Sequence, residues 1–406
     1  MKRSRWALAI ACCTVGFFGA ALSGQVPNPH AQEPIGTVQQ VYDGALMPDM
    51  VVSTFRNIER LFPTRVVRKG SHVHPLPASE RQLTNVQFTS DGIQYDLYDY
   101  LALNRVAGLL VLKNGAIALE SYQLGNTQHT RWVSMSIVKS MLSALFGAAI
   151  KSGHIRSIDD PITQYAPQMA GGAYDEVTVR NLLQMASGVK WDETYTNPTS
   201  DRRRMLALQE AQKPGAILSF MARLPREVPP GTRFNYSTGE TQVAAAVLRG
   251  AVKRTLADYL SERIWAKFGM ESDATWWLES PDGLEIGGSG LSATLRDYGR
   301  FGLFMLAGGS AGGEQILPDG WLRDASSPKT VGGQNVDYGY LLWPIPNAAA
   351  TIHEGAFEAR GIFGQHVYMN PRENVVIAVW SALPKPTGKA VVRDYDFFAA
   401  ISEALR

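Results

Sequence analysis

The sequence predicts a mixed α/β (α+β) protein in which early and late strands close one sheet around a helical insert. Three observations carry this. Two β-forming runs over residues 106–122 flank Asn114-Gly115, the dipeptide that best fits a two-residue hairpin turn. From about 134 to 305 the pattern is mainly helical, with helices at 136–152, 177–186, 201–211, 216–223, 238–251, 255–268 and 293–307. Strand-like runs return at 364–369 and 374–381, before a last helix at about 392–405.

The remaining segments are read from breakers and charge. Met1-Lys-Arg-Ser-Arg5 precedes an uncharged apolar run from Trp6 to Leu22, with small residues at Ala21, Ser23 and Gly24. That pattern reads as a secretory leader over 1–24, with a lipoprotein at Cys12 or Cys13 or a retained anchor as alternatives. Residues 25–35 read as a linker, and 36–100 as a set of short elements broken at Pro63, Pro75 and Pro77. The expected layout is therefore a leader at 1–24, a linker and N-terminal extension at 25–100, and one domain at 101–406 with its helical insert at about 140–305.

Composition excludes several function classes. The 406 residues are 45% hydrophobic and can bury a large core, and the formal charge of +2 leaves no basic footprint for nucleic acid. Both cysteines lie in the leader, so a mature chain has no disulfide, cysteine nucleophile or thiolate metal site. The seven histidines include no His-Glu-x-x-His, and His72 with His74 lacks a third ligand, so no metal and no cofactor are expected. The leader implies a periplasmic or secreted protein with no stable membrane insertion after its removal. The oligomeric state is not legible.

Ser136 and Lys139 are the candidate chemistry. Three residues apart, they share one face of a helix, so the amine reaches the hydroxyl. Serine is a poor nucleophile until a base takes its proton, and a lysine serves as that base once burial removes its charge. Ser187-Gly-Val-Lys190 and Ser326-Ser-Pro-Lys329 repeat the spacing, but Gly188 and Pro328 disfavour a helix there. The alternative for Ser136 is a polar helix start beside a solvated lysine. A second proton handler is needed, and Tyr236 fits, between the Pro229-Pro-Gly231 turn and the helix at 238. Cationic neighbours such as Lys139 would favour its phenolate, while the competing reading is a ring packed in the core.

Ser136-Ile-Val-Lys139 followed by Tyr236-Ser-Thr238 resembles the two boxes of class C β-lactamases, whose second box is Tyr-x-Asn. Residues 177–195, Gly287-Gly-Ser-Gly290 through Gly302, and Ala359-Arg-Gly-Ile-Phe-Gly-Gln365 are more similar to 6-aminohexanoate-dimer hydrolases and family VIII esterases of the same superfamily. The resemblance spans about 100–400 and touches Asn57–Arg65. It implies a β-lactamase/transpeptidase-like fold: an antiparallel sheet flanked by helices, an all-α subdomain, and the cleft between them. It also implies acylation of Ser136, proton management by Lys139 and Tyr236, and an oxyanion hole from Ser136 N–H and an amide near Gly364–His366. By the same resemblance Tyr195 closes over the substrate amide, and Thr238, His353, Gly364 and Gln365 contact substrate.

The departures narrow the activity. Thr238 replaces the family's Asn, Lys-Thr-Gly is absent, and either His353-Glu-Gly355 or Ala356–Glu358 must stand in the third box. Tyr195-Thr-Asn197 also reads Tyr-x-Asn but has no apolar helix behind it. Asp201 is a candidate for a substrate ammonium or, more simply, a helix N-cap. Trp276 and Trp277 could line a wall or fill the core. Gly308-Gly-Ser-Ala-Gly312 matches a nucleophile elbow, but its glycines end a helix where the elbow needs a strand before it. The expected function is hydrolysis of an amide or ester bond in a small molecule through an acyl-enzyme. A DD-peptidase or weak β-lactamase is the alternative within enzymes, and a non-catalytic binding protein on the same scaffold the alternative outside them.

Overall fold

The computed structural model describes residues 28–406, so the expected leader at 1–24 lies outside the described residues. The hairpin forms as expected. Strands β1 (Val106–Lys113) and β2 (Ala116–Tyr122) turn at Asn114 (φ 52°) and Gly115 (φ 80°), the paired left-handed residues of a type I′ turn. The late strands are β3 (Trp343–Pro344), β4 (Phe357–Gly361), β5 (Gln365–Asn370) and β6 (Val375–Ser381). They join the hairpin in one antiparallel sheet of order β3-β4-β5-β6-β1-β2, sealed where Val376 pairs Leu112 and Ala378 pairs Leu110.

Both faces of this sheet are covered. Leu110, Leu112, Val367, Met369, Val376 and Ala378 point into the main core. The intervening Leu109, Val111, Tyr368, Val375 and Ile377 meet Phe397, Phe398 and Ile401 of the C-terminal helix on the other side. Double burial explains why these strands read as apolar runs without alternation.

Helices α1 (Ile137–Lys151), α2 (Thr238–Val252) and α3 (Leu295–Leu306) lie within a residue or two of expectation. Helix α3 lies tight on the sheet. A Cβ on Gly299 would sit 2.6 Å from Leu110 Cδ2, and one on Gly302 would sit 2.5 Å from Val376 Cγ1. Gly302→Ala is therefore expected to destabilise the fold by roughly 1–2 kcal/mol, the overpacking cost outweighing the helix-propensity gain. The denaturant midpoint reads it, and an unchanged or raised midpoint would contradict this packing.

Two expected boundaries need correction. Residues from 28 to 100 are not a linker and extension but part of the domain: Phe55, Phe62 and Val67 are buried in the main core, and Leu97 and Tyr100 in the second. The elements there are short, such as the helix Pro48–Arg56 and the strand Thr64–Val67, so they leave little periodicity to read. Nor is 140–305 wholly helical. Ala274–Trp277 and Leu291–Thr294 are central strands of a second antiparallel sheet, edged by Thr64–Val67 and Arg131–Val133. Every residue of both central strands is buried, which again removes the alternation. Trp276 and Trp277 are core residues whose indole N–H groups donate to Ile286 O and Ile58 O. Among the described residues no helix is long and apolar enough to cross a membrane.

Candidate active site

The edge strand Arg131–Val133 delivers the chain to Ser136, the N-cap of α1. One residue earlier Met135 adopts φ 44°, an uncommon conformation for a residue with a side chain and a place where local strain is stored. The end of β4 closes against this corner. A Cβ on Gly361 would lie 2.9 Å from Ser136 N and 2.8 Å from Ser134 O, so only glycine lets the strand approach so near.

Lys139 stands one helical turn on, 2% exposed, with Nζ 2.9 Å from Ser136 Oγ. Nζ also donates to Gly288 O at 2.7 Å and to Thr238 Oγ1 at 3.2 Å. Burial pulls its pKa down from the usual lysine range to about 7; Arg202 adds to the fall and Glu193 opposes it. At neutral pH a large share of Lys139 is thus an uncharged amine against the serine hydroxyl.

Tyr236 lies on the other side of this pair, with Lys139 Nζ 5.4 Å from its ring centre. Its ring is held against Trp343 and Tyr338, at centroid distances of 5.5 and 6.0 Å. The expected phenolate is not favoured. Burial and the Glu193 carboxylate raise the phenol above its ordinary value, and the hydrogen bond with Ser136 only partly opposes them. Lys139, with its pKa lowered to about 7, stabilises an anion less than a full cation would.

Ser136, Tyr195, Tyr236 and Gly364 line one cleft of about 710 Å³, together with Trp343 and Arg360. Tyr195 stacks on Tyr42 at 6.2 Å, which anchors its loop to the N-terminal helix Val38–Asp43. Arg360 spreads over Trp343, its guanidinium carbon 4.1 Å from the ring centre. His366, another residue of the cleft lining, is largely buried between Glu358 (2.8 Å) and Asp394 (3.5 Å). Burial disfavours its charge, but the two carboxylates prevail and raise its pKa to about 10. A larger groove of about 840 Å³, between the helices Pro48–Arg56 and Leu97–Leu103, contains none of the residues expected to do chemistry.

Several expected contacts lie elsewhere. Gln365 is fully buried: its carbonyl accepts from Trp132 Nε1 and Ser381 N, and its amide donates to Phe363 O and Ser381 O, so it holds strands instead of substrate. His353 is bound to Tyr368 OH and Tyr395 O, away from the cleft, so neither His353-Glu-Gly355 nor Ala356–Glu358 faces the nucleophile. It is Gly361, at the end of β4, that lies against the Ser136 corner. Thr238 bonds to Lys139 and Glu193 and does not line the cleft. Asp201 is not the N-cap, a role taken by Ser200; it accepts from Asp192 N. Ser310 lies in a small hairpin, where its hydroxyl donates to Gln315 Oε1. Among the described residues no cluster of His, Cys, Asp or Glu could hold a metal ion.

Sequence reasoning passed over Glu193, Arg360 and Trp343. Only Glu193 left a signal, as a carboxylate two residues from Tyr195 in a loop otherwise neutral apart from Asp192 and Asp201.

A serine and a buried lysine one turn apart, at the mouth of a helix beside an antiparallel sheet, define the β-lactamase class of sites. The family model for Beta-lactamase matches residues 104–400, and the chain belongs to that family. It is 28% identical over 306 residues to the 6-aminohexanoate-dimer hydrolase of Paenarthrobacter ureafaciens, covering 72% of this chain and 76% of that one. A Bacillus anthracis protein assigned to the 6-aminohexanoate-dimer hydrolases has the same fold (TM-score 0.73, 22% identity), over 87% of this chain and 92% of the other. A penicillin-binding protein of Bacillus halodurans superposes with a TM-score of 0.59 at 19% identity, over 76% and 100% of the two chains.

Proposed function

We propose that this chain is a serine hydrolase that cleaves an amide or ester bond of a small substrate through an acyl-enzyme on Ser136. The observation that carries the reading is the 2.9 Å approach of the buried Lys139 amine, its pKa lowered to about 7, to Ser136 Oγ. Lys139 takes the hydroxyl proton as Oγ adds to the substrate carbonyl. The tetrahedral oxyanion would be held by Ser136 N–H and an amide at Gly361–Ile362, a placement supported by the contact between β4 and the nucleophile. Tyr236, which keeps its proton, gives it to the departing nitrogen or oxygen and is reprotonated from the Lys139 ammonium. Water then attacks the ester carbonyl by the reverse route, and Ser136 leaves with its proton restored.

Tyr195, Trp343, Arg360 and Gly364 are the proposed substrate walls. The Thr238 hydroxyl is already engaged, which weighs against the side-chain contact that β-lactamases make from this box. A leader at 1–24 would place the enzyme in the periplasm or outside the cell. The test is a panel of p-nitrophenyl esters, short linear amides and a chromogenic cephalosporin. Turnover of esters or amides with slow cephalosporin turnover is expected. A long-lived penicilloyl adduct without ester or amide turnover would favour a DD-peptidase, and no turnover or adduct of any kind a binding scaffold.

A further inference from the structure

The hydrogen bonds around Lys139 have a direction, and it is set from outside the proposed catalytic group. Glu193 is half-buried on the loop that carries Tyr195. Its Oε2 accepts from Thr238 N at 2.8 Å and from Trp191 Nε1 at 2.5 Å, and its Oε1 accepts the Thr238 hydroxyl proton at 2.5 Å. A carboxylate accepts only, and threonine has one hydroxyl proton to give. With that proton on Glu193, Thr238 Oγ1 can face Lys139 only as an acceptor. Gly288 O, a carbonyl, is likewise an acceptor only. A neutral amine has two N–H bonds and one lone pair. Both N–H bonds are therefore used on Thr238 and Gly288, and the lone pair is left for the Ser136 hydroxyl.

We infer that Glu193 is a positioning residue: by fixing the Thr238 hydroxyl as an acceptor, it aims the Lys139 lone pair at Ser136. The inference rests on the Ser136–Lys139 reading proposed above. The same carboxylate ties the Tyr195 loop to the start of α2, so the placement of that loop and the orientation of the base share one side chain. The charged and titratable groups facing Lys139 are Glu193 from this loop, Arg202 from the helix Asp201–Glu210 and Tyr236 ahead of α2. Of these, Glu193 favours the ammonium, so its removal lowers the Lys139 pKa.

Glu193→Gln tests this with little change in shape. The glutamine carbonyl oxygen belongs at the position of Oε2, where two N–H donors converge, and this turns its NH2 toward Thr238 Oγ1. Thr238 then donates to the Lys139 lone pair and competes with Ser136. The experiment measures the rate of fluorophosphonate labelling of the full mature chain from pH 5 to 9, for wild type, Glu193→Gln, Thr238→Val and the double variant. Expected are a loss of at least tenfold at pH 8 in each single variant, an acidic limb moved to lower pH in Glu193→Gln, and a double variant within about twofold of Thr238→Val. A merely structural Glu193 would leave the limb where it was. Labelling of Glu193→Gln within twofold of wild type, or losses that multiply in the double variant, would overturn the inference. Should Glu193→Gln fail to fold, Thr238→Ser against Thr238→Val decides: the hydroxyl must restore the rate, and equal rates would refute the relay. A wild type that does not label at Ser136 at all would instead sink the hydrolase reading itself.

Discussion

Ser136→Ala is expected to lower kcat on an activated ester by about 10⁵–10⁶-fold, the scale seen when a covalent nucleophile is removed from an intact site. At 1.36 kcal/mol per factor of ten this is roughly 7–8 kcal/mol of barrier, more than any single hydrogen bond supplies. The fold should tolerate the change, because Lys139 keeps its bonds to Gly288 O and Thr238 Oγ1. Ser136 and Lys139 act on one proton, so Ser136→Ala combined with Lys139→Ala should be little worse than Ser136→Ala alone. Multiplying losses in steady-state kinetics would mean that the lysine works elsewhere.

Lys139→Met should cost on the order of 10³-fold or more in kcat/KM, and its second consequence concerns pH. The neutral amine is the working form, so wild-type kcat/KM should rise with pH through a limb near 7 and then level, following the pKa of about 7. Stability follows pH in the same direction as activity, over a higher range. An unfolded lysine keeps its proton to about 10.4, so between 7 and 10 the unfolded chain holds more protons and stability rises with pH. Below 7 the whole penalty of the buried ammonium is present. Lys139→Met should therefore raise the unfolding midpoint at pH 6, with the gain shrinking toward pH 10, while activity stays low throughout. A midpoint lowered by the substitution at pH 6 would show that Lys139 is a stabilising structural cation.

The fold was legible where one local signal sufficed. Asn114-Gly115 fixed a hairpin, and the small-residue helix after Ser136 fixed the nucleophile's support. The strands Ala274–Trp277 and Leu291–Thr294 were missed because burial on every side erases the period-two pattern, and residues 28–100 because their elements are too short to show one. At the site, Ser136, Lys139, Tyr236, Tyr195 and Gly364 could be named in advance and converge on one cleft or its wall. Gln365 and His353 were misplaced because a motif gives order along the chain, while strand register decides which side chain faces in. Gln365 pairs Gly361 at the turn between β4 and β5 and points into the core. Glu193 and Arg360 reach the site by contacts across the fold, which spacing along the chain does not encode.

The most direct measurement is intact-mass spectrometry of the protein after a fluorophosphonate probe, with peptide mapping and with Ser136→Ala and Lys139→Ala alongside. A single adduct on Ser136 in wild type, absent from both variants, is the predicted result. No adduct, or one on Ser310, would contradict a lysine-activated Ser136 and with it the account of this site.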